Sequence, residues 1–167
     1  MWLWILAGAI VIVGFVAFTG APYVPSKRKD VALALDTLYK LTDKDVLVDI
    51  GSGDGVVLRA AAERGAHAVG YEIHPILVII SKLLSKGDKN VQVKLANFWR
   101  APLPDNVTVV YTFGDARDIG KMYTRVQHEA TRLGRPLAFI SYAFDIPGVT
   151  AGKTVGAHHL YMVKPLQ

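Results

Sequence analysis

The 167 residues carry 19 Lys and Arg against 14 Asp and Glu, a formal charge of +5, and no cysteine. That length suits one domain of ordinary size, and a hydrophobic content of 51% excludes a disordered chain. The lack of any thiol excludes disulfide scaffolds, cysteine-ligated zinc or iron–sulfur sites and thiol nucleophiles, while the surplus positive charge suits an anionic neighbour, whether membrane face, nucleic acid or acidic partner.

Residues 1–26 contain no charged side chain, and residues 2–18 are almost wholly apolar. As a helix, residues 2–18 would extend about 26 Å at roughly 1.5 Å each, and residues 1–20 just reach the ~30 Å of a hydrocarbon core. Trp2 and Trp4 stand at one end, where indoles favour the membrane interface, and Lys27, Arg28 and Lys29 follow the other. This predicts a single-pass transmembrane anchor over residues 1–21, with residues 22–167 as a domain on the cytoplasmic or equivalent inner side. A cleaved signal peptide would carry basic residues before the apolar run, and Thr19-Gly20-Ala21 is a poor cleavage match. A buried soluble helix would show a polar stripe, which this run lacks.

Beyond the anchor, Ser26 is placed to cap a helix whose Val31, Ala34, Leu35, Leu38 and Leu41 share one face. Residues 46–50 read as a buried strand, followed by a glycine cluster and a helix ending near Gly65. Residues 67–72 form a second strand, and Pro75 opens a helix running to about Gly87, with His74 as its cap. Strands are predicted over 91–95, 107–113, 136–143 and 159–163. The spacing of Ile119, Met122, Tyr123, Val126, Ala130 and Leu133 predicts a helix closed by Gly134 and Pro136. Strand alternating with helix implies an α/β fold, a Rossmann-like parallel sheet with helices on both faces. Too few residues follow the fifth strand for another crossover helix, so the sheet should finish in a short hairpin with an antiparallel strand and no cap over the site.

The most informative segment is Asp49-Ile50-Gly51-Ser52-Gly53-Asp54-Gly55, between the first strand and its helix. Glycines there let the backbone turn tightly and approach a ligand. The dinucleotide fingerprint needs its third glycine where Val56 stands, so a GxGxG loop remains, suited to a ligand without a pyrophosphate. Asp49 and the loop amides can then meet an amino-acid moiety. Glu72 ends the second strand, where a carboxylate accepts from both ribose hydroxyls. Asn97, after the third strand, can accept from an adenine amine, and Phe98 can lie on the base, while Trp99 either lines the same pocket or, as the favoured reading, belongs to the core. Ribose, adenine and amino acid together describe S-adenosylmethionine.

The loop and Glu72 resemble those of class I S-adenosylmethionine-dependent methyltransferases. Residues 22–166 resemble, more narrowly, a small family of membrane-anchored protein-lysine methyltransferases that includes those acting on the adenine nucleotide translocase and on the c subunit of ATP synthase. Three stretches carry the match: Pro22-Tyr23-Val24-Pro25; Val48 through Gly55 together with Val69-Gly70-Tyr71-Glu72-Ile73-His74-Pro75; and Ala143-Phe144-Asp145-Ile146-Pro147-Gly148. Two positions depart from the family pattern. Asn97 stands where an acidic residue is usual, and Thr112-Phe113-Gly114-Asp115-Ala116 stands where Leu-Leu-Pro is usual. The resemblance implies the methyltransferase sheet, S-adenosylmethionine held by Asp49, Gly51, Ser52, Gly53, Asp54, Glu72, Ile73, Asn97 and Phe98, and methyl transfer to an accessible lysine of a protein.

Such transfer is a direct displacement that requires alignment and exclusion of water. A lysine with pKa about 10.4 must lose its proton first, which desolvation in an aromatic channel favours. Tyr23 and Phe113 are the candidate channel walls, with Asp115 a contact for the incoming ammonium. Nucleic acid is disfavoured. The Asn/Asp-Pro-Pro-aromatic segment of adenine methylation is missing, cytosine C5 chemistry needs a cysteine, and no basic–aromatic stripe stands out. A lipid or small-molecule amine, or cofactor binding without turnover, are the rival readings. No metal is expected, since the adjacent His158 and His159 would point to opposite faces of a strand.

Overall fold

The computed structural model describes Trp2 and residues 26–166. The anchor expected over residues 1–21 and the Pro-Tyr-Val-Pro segment therefore lie outside the described residues, apart from Trp2. Among the described residues no helix is long and apolar enough to cross a membrane.

The chain opens with α1 (Arg28–Leu33), which widens into a π-helical turn over Ala34–Leu38 where the Tyr39 N–H reaches back five residues to the Ala34 carbonyl at 3.0 Å. The five apolar residues expected to share a face, Val31 to Leu41, are all buried. Ser26 does not cap this helix: Lys27 holds the cap position with no side-chain bond, and Ser26 instead borders the main cavity. The following elements are β1 (Val46–Ile50), α2 (Val56–Ala62), β2 (His67–Glu72), α3 (Pro75–Leu84), β3 (Val91–Leu95), β4 (Val109–Thr112), α4 (Ile119–Leu133), β5 (Leu137–Tyr142), β6 (Lys153–Val155) and β7 (His158–Val163).

These strands form one seven-stranded sheet in the order β3-β2-β1-β4-β5-β7-β6. Neighbours from β3 through β5 pair in parallel, and β7 runs antiparallel to both β5 and β6, so the sheet ends in the expected hairpin. Central β1 is buried at every position, as a strand covered on both faces must be. One face packs against α1, α2 and Val78 of α3, the other against Ile119, Val126 and Ala130 of α4. β4 is shorter than expected. The Thr108 side chain accepts the Val46 N–H at 3.1 Å at its start, and Phe113 leaves the sheet at its end to pack on Tyr142.

Chain order reverses between β1 and β4, the place where open parallel sheets receive ligands at their carboxyl ends. Ile50, Glu72, Thr112 and the loops after them converge there.

Candidate functional site

A cavity of about 510 Å³ opens at those carboxyl ends, within the range of small-molecule sites. Its floor is the loop after β1. Gly51, Gly53 and Gly55 adopt φ of 72°, 54° and 82°, a left-handed region that side chains with a Cβ disfavour. Tyr71 O accepts from the Gly51 N–H at 2.9 Å and the Ser52 N–H at 3.2 Å, which binds the loop to β2. The loop also approaches its neighbours closely: a Cβ on Gly55 would stand 2.2 Å from Ser81 Oγ, and one on Gly70 2.5 Å from Ser52 Oγ. Asp54 closes the turn by accepting the Val56 N–H at 3.2 Å and facing Arg59 at 3.6 Å.

Glu72 is 4% exposed at the end of β2. One carboxylate oxygen accepts the Gly53 N–H at 2.9 Å and the other the His74 N–H at 2.8 Å. The side chain is therefore held by backbone on both sides, in one orientation, with lone pairs left for a ligand. Asp49, 3% exposed, lines the same cavity and makes no ion pair among the described residues. Burial pushes its pKa well above the ordinary value, and the nearby Glu72 and Asp54 carboxylates add to the shift. A buried acid without a counter-charge favours a cation beside it. The Ser52 hydroxyl is likewise buried with no hydrogen-bond partner among the described residues.

Of the residues expected to hold the cofactor, Asp49, Gly51, Ser52, Gly53, Asp54, Glu72, Ile73, Asn97 and Phe98 all border this cavity, and so do Phe113 and Asp115. Tyr23 lies outside the described residues. Asn97 differs in detail: its side-chain oxygen already accepts the Trp99 N–H at 2.9 Å, closing a local turn. Both aromatics border the cavity beside that turn, Phe98 buried at 4% exposure and Trp99 43% exposed.

At the end of β4, Phe113 stacks on Tyr142 with ring centres 4.7 Å apart. Asp115, expected as a contact for the incoming ammonium, is paired with Arg117. Arg117 engages it through its backbone N–H at 2.7 Å and its guanidinium at 2.7 Å, and this holds the Asp115 pKa down at about 2. Tyr111, Met122 and Phe144 also line the cavity and were not among the site residues expected from sequence. Tyr111 is fully buried, with its hydroxyl 2.9 Å from His158 Nε2. Burial brings that imidazole down to about 4, so it is neutral near pH 7. Nothing in the local sequence joins residues 111 and 158; the pairing of β5 with β7 beside β4 brings them together. Among the described residues no cluster of His, Asp and Glu is arranged to hold a metal ion.

Residues 49–153 match the ANTKMT methyltransferase domain family. The chain is 32% identical over 120 residues to the lysine N-methyltransferase of the ATP synthase c subunit from Xenopus laevis, covering 70% of this chain and 52% of that protein. With the corresponding enzyme from Rattus norvegicus it shares 29% over 138 residues, covering 81% of this chain and 61% of the relative. The chain thus spans little more than half the length of these curated relatives. Among solved structures, an RNA methyltransferase from Salinibacter ruber bound to S-adenosyl-L-homocysteine superposes with a TM-score of 0.76 at 25% identity, covering 84% of this chain and 94% of that one. The 23S rRNA methyltransferase ErmE, at 19% identity and TM-score 0.57, covers 72% of this chain and 48% of its own, and shares the fold.

Proposed function

The chain belongs to the ANTKMT methyltransferase domain family, and from that premise we propose that it is an S-adenosylmethionine-dependent methyltransferase that modifies lysine on a membrane-associated protein. The observation that carries the cofactor is Glu72, buried and bridged between the Gly53 and His74 amides at the carboxyl end of β2. A carboxylate fixed there suits a ribose diol, and the uncompensated Asp49 beside the glycine loop suits a cationic amino-acid end. The lysine specificity is supported by the relatives named for lysine methylation of the ATP synthase c subunit.

S-adenosylmethionine, when bound, supplies a methyl group on a sulfonium sulfur. The loop amides and Asp49 orient the amino-acid end, Glu72 grips the sugar, and the Asn97 turn with Trp99 borders the base. Phe113, backed by Tyr142, forms an aromatic wall that excludes water from the transfer path and favours a neutral amine. Asp115 and Arg117, paired at the cavity mouth, meet the acceptor backbone or ammonium from outside. Tyr23 is assigned to the same channel. Residues 1–21 serve as a single membrane anchor, on the strength of their unbroken apolar run, and residues 22–167 act on its cytoplasmic or equivalent inner side.

Two measurements test this reading. Calorimetry with S-adenosylmethionine and S-adenosylhomocysteine should give saturable binding; no heat with either removes the cofactor assignment. Incubation with radiolabelled cofactor and membranes should then place label in protein, with acid-stable methyl-lysine after hydrolysis. Label in the organic phase would replace lysine with a lipid amine, label destroyed by ribonuclease would replace it with RNA, and binding without label would leave a cofactor-binding protein without turnover.

A further inference from the structure

A helix on the surface of a water-soluble domain buries its apolar arc and turns its polar arc outward. Helix α3 does the reverse. Ile76, Ile79, Ile80, Leu83 and Leu84 are 38–66% exposed, and at ~100° per residue they fall within one arc of about 140°. The inward side is carried by Val78 and Ser81, and Ser81 is wholly buried. The hydroxyls of Ser81 and Ser85 are buried without hydrogen-bond partners among the described residues. Ser81 lies so close to the glycine loop that a Cβ on Gly55 could not fit beside it. Small inward residues let α3 sit tightly on the loop, and its large apolar side chains have only the outer face left to occupy.

The face extends past the helix. Leu95, 59% exposed, shares the side of β3 on which Val93 joins the core packed by Val78, and β3 is the strand against which α3 lies. Ile73, just before α3, and Leu77, within it, also border the cavity. Large apolar side chains gathered outward on one helix face mark an interaction site. Its rim indicates the kind of partner. Lys82, Lys86 and Lys89 are all exposed along residues 82–90, where Asp88 is the one acid, and Arg100 is exposed beside Trp99. Lysines flanking an outward apolar arc match an anionic bilayer interface: acyl chains take the isoleucines and leucines, and the lysine stems lift their ammonium groups to the headgroups.

We propose that α3, with Leu95 and Trp99, docks in the interfacial region of an anionic bilayer and brings the rim of the cavity against the membrane surface. The docking is independent of methyl transfer, and it differs from the anchor expected at residues 1–21 because it fixes which side of the domain faces the lipid.

The absence of cysteine allows single labels on the full-length chain. Ile79→Cys, Leu83→Cys and, as a reference on the opposite face of the sheet, Thr124→Cys on α4 each receive an environment-sensitive fluorophore. All three positions are exposed, so the labels leave the core intact. The proteins are mixed with vesicles of phosphatidylcholine and phosphatidylglycerol carrying brominated acyl chains. Labels at 79 and 83 should be quenched severalfold more than the label at 124, and the Lys82→Glu/Lys86→Glu pair should remove most of that difference. Equal, weak quenching at all three positions overturns the proposal. Protection of 79 and 83 that persists in detergent without vesicles also overturns it: a concentration-dependent form would place a second copy on the face, and a concentration-independent form the chain's own N-terminal segment. Quenching as strong in phosphatidylcholine alone also overturns it, because the occupant proposed is an anionic surface. Calorimetry with S-adenosylhomocysteine is unaffected by any of these results, so failure here stays distinct from failure of the cofactor reading.

Discussion

At the ends of β1 and β2 the polar groups of the cavity are buried, and the backbone ties down the key ones: Glu72 holds two amides, Tyr71 O holds two more, and Ser52 packs against Gly70. At the end of β4 they are exposed and tied to one another, with Arg117 clasping Asp115 on the surface. The first half of the site is shaped before any ligand arrives, because backbone amides hold Glu72 from both sides. The second half can change partners at little cost, since an exposed ion pair contributes little to stability. A domain that binds one constant cofactor and a variable acceptor would be built with that asymmetry.

The difference can be broken most severely at Glu72. Glu72→Ala should remove the proposed sugar contact and the acceptor of the Gly53 and His74 amides; charge-assisted bonds of about 1.5–3 kcal/mol each imply at least ~100-fold weaker cofactor binding. Calorimetry measures this, and affinity within severalfold of the parent would sink the assignment of Glu72. Gly70→Ala should act next. Its methyl would stand 2.5 Å from Ser52 Oγ and 2.6 Å from Leu58 Cδ1, overpacking worth about 1–3 kcal/mol of stability in urea unfolding.

Asp49→Asn sharpens the comparison because it should separate stability from binding. The folded, empty protein holds the Asp49 proton more tightly than the unfolded chain does, chiefly because burial disfavours the charge. That contribution is full below the unfolded value of 3.8 and is lost as pH rises through the raised folded value. The amide cannot ionise, so the variant should melt higher than the parent at neutral pH, with the difference vanishing in acid, and yet bind S-adenosylmethionine more weakly. Melting curves across pH, set beside calorimetry, decide it; a variant that is destabilised at neutral pH contradicts the argument. The smallest effect belongs to Asp115→Asn. With Arg117 already against the carboxylate, cofactor affinity should not move and the acceptor KM should rise only a few-fold in steady-state assays. A complete loss of turnover would mean that Asp115 leaves Arg117 to act on the acceptor directly.

Much of this arrangement was legible in advance. The strands expected over 46–50, 67–72 and 91–95 coincide with β1, β2 and β3, and α4 runs over the apolar spacing that predicted it. Gly134 at its end adopts the left-handed conformation that closes a helix. The GxGxG loop and Glu72 meet because a strand–turn–helix places both at carboxyl ends of adjacent strands. What was not legible shares a cause. The place of Ser26, the π-helical turn, the burial of Phe98 beside an exposed Trp99, and the clasp of Arg117 on Asp115 each depend on which neighbour competes for a group, and local pattern is silent on competition.

What the amino-acid order determined by itself is therefore the alternation of strands and helices, the glycine loop and the acidic residue one strand later, since these follow from periodicity and backbone freedom within a few residues. Tertiary structure alone decided that the Tyr111 hydroxyl meets His158 across the sheet, that Asp49 loses its water without gaining a counter-charge, and that the large side chains of α3 face outward. Each is an outcome of packing between segments distant in the chain, where burial and partner choice are properties of the assembled fold rather than of any one stretch of it.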